Sequence, residues 1–131
     1  DRKTEIAEWV AGKVGHGGFH QYEAIGIERD GELIAGVVYD NYAKDARISM
    51  HCAGVGKRWL NREFLRLAFA YPFKQLGVKV IVNTVRSDND DSIRFTEHCG
   101  FTEVGRVKNG CGDADLIIYK LCRDDCRWLG V

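Results

Sequence analysis

Apolar residues recur along this chain with two different periods, and the changes of period divide it into elements. Ile6, Trp9, Val10 and Val14 return at three- and four-residue steps behind Thr4, a residue type that caps helix starts. This spacing predicts a first helix over Glu5 to Val14, ended by the glycines between Gly15 and Gly18. Tyr22 to Arg29 and Glu32 to Tyr42 read as two strands joined at Asp30-Gly31, a pair that tolerates positive φ and so favours a tight hairpin. After a polar turn at 41–45, Arg47 to Ala53 supplies a third strand and completes an antiparallel meander. From Trp59 to Leu76 the positions Leu60, Phe64, Leu67, Ala68, Tyr71 and Leu76 keep a helical period, with Pro72 kinking the last turn and Gly77 ending it. Val78 to Val85 is β-branched and nearly continuous in apolar character, which predicts a central strand covered on both faces. A short helix over Ser92 to Cys99 stops at Gly100, and Thr102 to Val107 and Leu116 to Leu121 read as two last strands around a turn-rich loop, Lys108 to Asp115. The expected fold is α/β, a mixed and largely antiparallel sheet of about six strands flanked by three or more helices. The strands on either side of the Trp59 to Leu76 crossover should be parallel.

Composition narrows the classes. At 131 residues, nearly half of them hydrophobic, the chain is expected to form one domain over 1–131 with a proper core. The 19 lysines and arginines balance the 19 aspartates and glutamates, so no global field favours nucleic acid or an anionic membrane. Apolar runs such as Leu33 to Tyr39 fall far short of the roughly 20 residues of a spanning helix, and a cytoplasmic protein is expected. The five cysteines form an odd set with no C-x-x-C pair, which suits reduced thiols used for packing. Cys122 and Cys126 with His98 and Cys99 have irregular metal-ligand spacing, and no metal is expected.

Candidate chemistry gathers where the third strand runs through glycines into the long helix. A strand–loop–helix of this kind aims unpaired N–H groups and the positive helix end at one spot, suited to a phosphate or pyrophosphate. Gly54-Val-Gly-Lys-Arg58 is that loop, and Lys57, Arg58 and Arg62 add cationic donors beside it.

Joined to this element order, Asn89-x-x-Ser92-x-x-Phe95 leading to Gly100-Phe101 resembles the segment of the GNAT superfamily of acyl-CoA-dependent N-acyltransferases in which an asparagine opens a short helix closed by Gly-Phe. The resemblance runs from about Tyr22 to Leu121. It implies acetyl-CoA as cosubstrate, its pyrophosphate held after the third strand by an Arg/Gln-x-x-Gly-x-Gly/Ala pattern. Two registers fit that pattern. One is His51-x-x-Gly54-x-Gly56; the other places Trp59-Leu60-Asn61 at the Gly-x-Gly. The cofactor-binding set is therefore Cys52, Ala53, Gly54, Val55, Gly56, Lys57, Arg58, Trp59, Leu60, Asn61 and Arg62, with Asn89 and Ser92 on the pantetheine arm.

Many members carry a tyrosine after the position of Phe95 that resembles a general acid; this chain has Thr96, whose hydroxyl is shorter and far less acidic. His51, inside a strand beside the cradle, is the candidate base. Cys52 alternates to the other face of that strand, so at most one of the pair points at a thioester, and an acyl-cysteine route is an alternative. Backbone N–H groups of the strand ending at Ala53 are expected to hold the thioester carbonyl. The leading expectation is an N-acetyltransferase acting on an amine by direct attack, the acceptor being a small molecule or a protein. The alternative is a catalytically degenerate CoA-binding or interaction module. No membrane partner is expected, a nucleic-acid role ranks last, and an absent leading strand would leave a sheet edge that invites a homodimer.

Overall fold

The computed structural model describes residues 2–14, 22–55 and 61–129. Among them the order is α1 (Lys3–Val14), β1 (Glu23–Arg29), β2 (Glu32–Ala43), β3 (Arg47–Gly54), α2 (Arg62–Ala70), a π-helical turn (Tyr71–Gln75), β4 (Val80–Arg86), α3 (Asp90–His98), β5 (Thr102–Val107) and β6 (Leu116–Cys122). The strands form one six-stranded sheet in the order β1-β2-β3-β4-β6-β5, all antiparallel except β3 with β4. No helix among the described residues is long and apolar enough to cross a membrane.

Local chemistry accounts for most boundaries. Asp30 and Gly31 both take positive φ, +55° and +82°, and close the β1–β2 hairpin in the mirror-image turn that matches strand twist. Asn61 caps α2, its Oδ1 accepting from Phe64 N at 2.8 Å, so this helix begins at Arg62 rather than at Trp59. Thr4, expected as a cap, lies inside α1, which already starts at Lys3.

The two faces of the sheet are covered differently. On one face, Ile6, Ala7 and Val10 of α1 pack on Val38 and Ala53. The helix sits close because Gly26 and Gly36 carry no side chain: a Cβ there would come within 2.9 Å of Ile6 Cδ1 and of Val10 Cγ2. On the other face, α2 and α3 cover the larger core, including Val37, Tyr39, Ile48, Phe69, Phe73, Ile81, Ile117 and Tyr119. Strand β4 is central, as its composition implies, but it is not covered on both faces. Ile81 and Val85 are buried whereas Thr84 is exposed, because α1 packs chiefly on β1, β2 and β3.

After Cys122 the chain turns across the end of this core. Trp128 is buried, donates from Nε1 to Cys99 O at 2.8 Å, and ties the last described residues to the α3 terminus.

The π-helical turn has a specific cause. Pro72 has no N–H to give Ala68 O, four residues back, and Leu76 N bonds instead to Tyr71 O and Val78 N to Pro72 O. The Ala68 carbonyl is satisfied from the sheet, since the buried Tyr39 hydroxyl donates to it. Burial also holds the Tyr39 phenol well above its ordinary pKa, so it remains a donor. Tyr39→Phe should therefore cost about 1–3 kcal/mol in urea unfolding by orphaning a buried carbonyl. Pro72→Ala, by restoring an N–H, should recover part of that loss in the double variant; strictly additive effects would contradict this assignment.

Candidate functional site

The pairing between β3 and β4 stops almost as soon as it starts. Only Arg47↔Val80 and Ile48↔Ile81 are paired, whereas β3 is paired along its length with β2, and β4 matches β6 from Val80 to Arg86. Just past Ile48 two side chains replace the ladder: Ser49 Oγ donates to Val82 O at 2.7 Å, and Met50 N donates to Asn83 Oδ1 at 2.9 Å. Beyond them the strands diverge around a cavity of about 730 Å³, a size that suits a small-molecule ligand.

This cavity passes between the faces of the sheet. Strand alternation and the Val38↔His51 and Asp40↔Ser49 registers put Asp40, Ser49 and His51 on the α1 face, with Val38. Met50 and Cys52 line it from the other face, where α3 brings Asn89, Ser92, Phe95 and Thr96. Main-chain direction alternates too. Met50 N–H points toward β4, so Cys52 N–H, two residues on and past the last β3–β4 pair, is aimed across the gap.

The expected residues that fall within the described stretches can now be placed. His51 lines the cavity, and its Nε2 lies 2.9 Å from Asp40 Oδ1. Thr96 is buried on α3 and also lines the cavity. Cys52 reaches it, but desolvation pushes its thiol far above the ordinary value, which disfavours the thiolate an acyl-cysteine route needs. Ala53 is turned away: its methyl packs under α1, and alternation directs its N–H to β2. Gly54 ends β3; Val55 N donates to Ile34 O at 2.8 Å, and its side chain is exposed. Asn61 uses its side-chain oxygen as the α2 cap, and Arg62 follows, exposed, as the first helical residue. Gly56, Lys57, Arg58, Trp59 and Leu60 lie outside the described residues. Ser92 and Asn89 both line the cavity, with Asn89 Oδ1 accepting from Ser92 N at 3.1 Å as the α3 cap.

Two residues were not anticipated. Asn83, polar within an apolar strand, bridges the divergence, and Asp40 pairs with His51. Neither has a motif, although a carboxylate closing the apolar run Ala35 to Tyr39 and an asparagine inside Val80 to Val85 are both departures from period. No tyrosine replaces the missing general acid from β6: the Tyr119 hydroxyl donates to Glu97 Oε2 at 2.9 Å, and burial pushes its pKa up to about 12. Arg86 fixes one end of the cavity, bonding Asp88 at 3.0 Å, Asp113 at 2.7 Å and Cys111 O at 3.2 Å. Its side-chain hydrogen bonds hold both carboxyls below the ordinary range.

The Asn89 cap generates a prediction. Asn89→Ala should cost about 1 kcal/mol of unfolding free energy, whereas Asn89→Asp, which keeps the acceptor at a helix N-terminus, should cost little. Equal losses in urea titrations would contradict the cap.

No family model matches the sequence, and no curated protein matches it. Solved structures do. A dodecameric spermidine N-acetyltransferase from Vibrio cholerae aligns with a TM-score of 0.68 at 18% identity, over 79% of this chain and 66% of that one. The Salmonella typhimurium protein yncA, assigned as an acetyltransferase and solved with its cofactor acetyl-CoA, aligns at 0.66 and 19%, over 81% and 67%. A GNAT-family acetyltransferase from Bacillus anthracis aligns at 0.62 and 17%, over 89% and 72%. The chain spans about two-thirds of the length of the first two. A shared backbone at such low identity, with the sheet order above, establishes one conclusion: this polypeptide has the GNAT acetyltransferase fold.

Proposed function

We propose that the chain is an acetyl-CoA-dependent N-acetyltransferase that passes an acetyl group to an amine by direct attack. The observation that carries this reading is the cavity at the β3–β4 divergence, lined from both faces of the sheet, with Cys52 N–H aimed into it. A thioester entering from the α3 side meets that donor, which favours the charge that builds on its carbonyl oxygen. An amine entering from the α1 side meets His51, the group placed to take its proton. Asn89 keeps its amide N–H groups for the pantetheine arm, because only its oxygen is used in the cap. The α2 N-terminus with Arg62, and Lys57 and Arg58 before it, would face the pyrophosphate.

The residues present fit an acyl-CoA: a main-chain donor at the half-buried Cys52, its neutral thiol as wall, and polar groups at the α3 entrance. The spermidine N-acetyltransferase among the structural neighbours is consistent with an amine as acceptor. We place the protein in a reducing cytosol, where its five free cysteines serve packing. A homodimer would pair across an edge of the sheet, of which β1 is the one on the side of the expected leading strand.

One observation favours the second reading, a CoA-binding module without turnover: Thr96 stands where a phenolic acid is expected, and it is buried. In the acetyltransferase reading the leaving thiolate takes its proton from solvent.

Acetyl-CoA at about 100 times its dissociation constant should raise stability by roughly 2.7 kcal/mol, visible as a higher melting temperature. CoA release with a panel of amines should follow. No thermal shift at millimolar acetyl-CoA or CoA would overturn the cofactor assignment; a shift without turnover across the panel would favour the non-catalytic module.

A further inference from the structure

Two polar residues are buried among the described residues, Thr96 and Asp40. The second is the costly one. A carboxylate removed from water is destabilising by several kcal/mol unless a partner compensates, and an apolar residue of similar volume is commonly as stable or more so. Asp40 is 8% exposed, and its Oδ1 lies 2.9 Å from His51 Nε2, across a diagonal between β2 and β3. Its backbone setting is also marked. Directly after Asp40 the β2–β3 register slips, and Asn41 takes φ +55°, a left-handed conformation that asparagine adopts more readily than most residues with a side chain. Regular pairing thus ends on the Asp40↔Ser49 pair, at the wall of the cavity.

Resting on the acetyltransferase reading above, we propose that Asp40 is a positioning residue for His51: it fixes the imidazole tautomer and holds the charge His51 acquires when it takes the proton of the acceptor amine. An ionised carboxylate accepts from Nε2–H, so the neutral ring carries its proton there and Nδ1 is its basic nitrogen. As the amine nitrogen bonds to the thioester carbon, its N–H bond breaks and the proton passes to the imidazole. The C–S bond then breaks, the thiolate leaves with the electron pair, and solvent protonates it. The imidazolium formed stands against Asp40 and returns its proton to solvent. Among the described residues, Arg47 on β3 and Arg86 on β4 are the other charged groups lining the cavity; Arg86 is engaged by Asp88 and Asp113. Asp40 is therefore the anion that meets the new charge.

The test uses the full chain, wild type, Asp40→Asn and Asp40→Leu, with ring ¹⁵N NMR of His51 assigned by its loss in His51→Ala. Wild type should show a neutral ring protonated at Nε2; Asp40→Asn should shift that population toward Nδ1–H. With an amine that is turned over, Asp40→Asn should lower kcat about tenfold or more and leave KM for acetyl-CoA within twofold. Asp40→Asn added to His51→Ala should then lower kcat no further. Asp40→Leu should melt no lower than wild type and be equally slow, which separates positioning from support of the fold. An unchanged tautomer in Asp40→Asn, wild-type kcat, or full additivity with His51→Ala would overturn the proposal. The ring measurement decides it even if no amine is turned over. A shifted tautomer in a protein that binds no acetyl-CoA would show the pair intact and the acetyltransferase reading wrong.

Discussion

A sheet whose two middle strands pair for only two residues sets the terms for the rest of this molecule. Past Ile48 and Ile81 the backbone groups of β3 and β4 lose their ladder in the middle of the sheet, where an unpaired donor or acceptor is expensive. Ser49 and Asn83 answer for two such groups, Val82 O and Met50 N, and in doing so they hold the strands at a fixed separation instead of letting them close. Continued pairing would be the simpler way to satisfy the backbone. The gap is therefore a feature that the side chains maintain, and the groups left facing it, Cys52 N–H first among them, are those a ligand would have to satisfy.

The neighbouring strand supports this from both sides at once. Tyr39 and Asp40 are consecutive and point to opposite faces. Tyr39 faces the α2 side, where it supplies the hydrogen bond that Pro72 cannot give Ala68 and packs in a tilted arrangement against Tyr71 at a centroid distance of 4.9 Å. Asp40 faces the α1 side and meets His51. Tyr39 pairs with Met50, and Met50 is the residue whose N–H Asn83 takes. Hence the kink of the crossover helix, the width of the gap and the orientation of His51 share one short stretch of β2 and β3. Disturbing any of the three should be felt by the others.

How much of this the sequence foretold follows from where the signals are local. The Asp30-Gly31 hairpin, the interruption of the helix at Pro72 and the stop at Gly77 are written in residues that act on their own backbone, and they lie where expected, the interruption taking the form of a π-helical turn. The β1–β2–β3 meander and the parallel crossover follow from element order, whereas the insertion of β6 between β4 and β5 does not. The divergence of β3 from β4 has no local cause, because it arises when two distant strands meet, and Val78 to Val85 looked like a fully covered strand even though Asn83 and Thr84 interrupt its apolar run. The α2 start was misplaced because Trp59 and Leu60 continue the apolar period, whereas Asn61, a capping residue, marks the start. Asp40 escaped notice since an acid near a strand end is ordinarily solvated, and only the fold shows that this one is buried.

The central claim is that the β3–β4 gap receives a thioester carbonyl at Cys52 N–H, and the backbone amide resonance of Cys52 reports on it most directly. Acetyl-CoA should shift this amide downfield and slow its hydrogen exchange, CoA without the acetyl group should do so less, and Gly12 on the exposed side of α1 should not respond. Saturating acetyl-CoA that leaves Cys52 unchanged while shifting residues elsewhere would show that the thioester does not enter the gap.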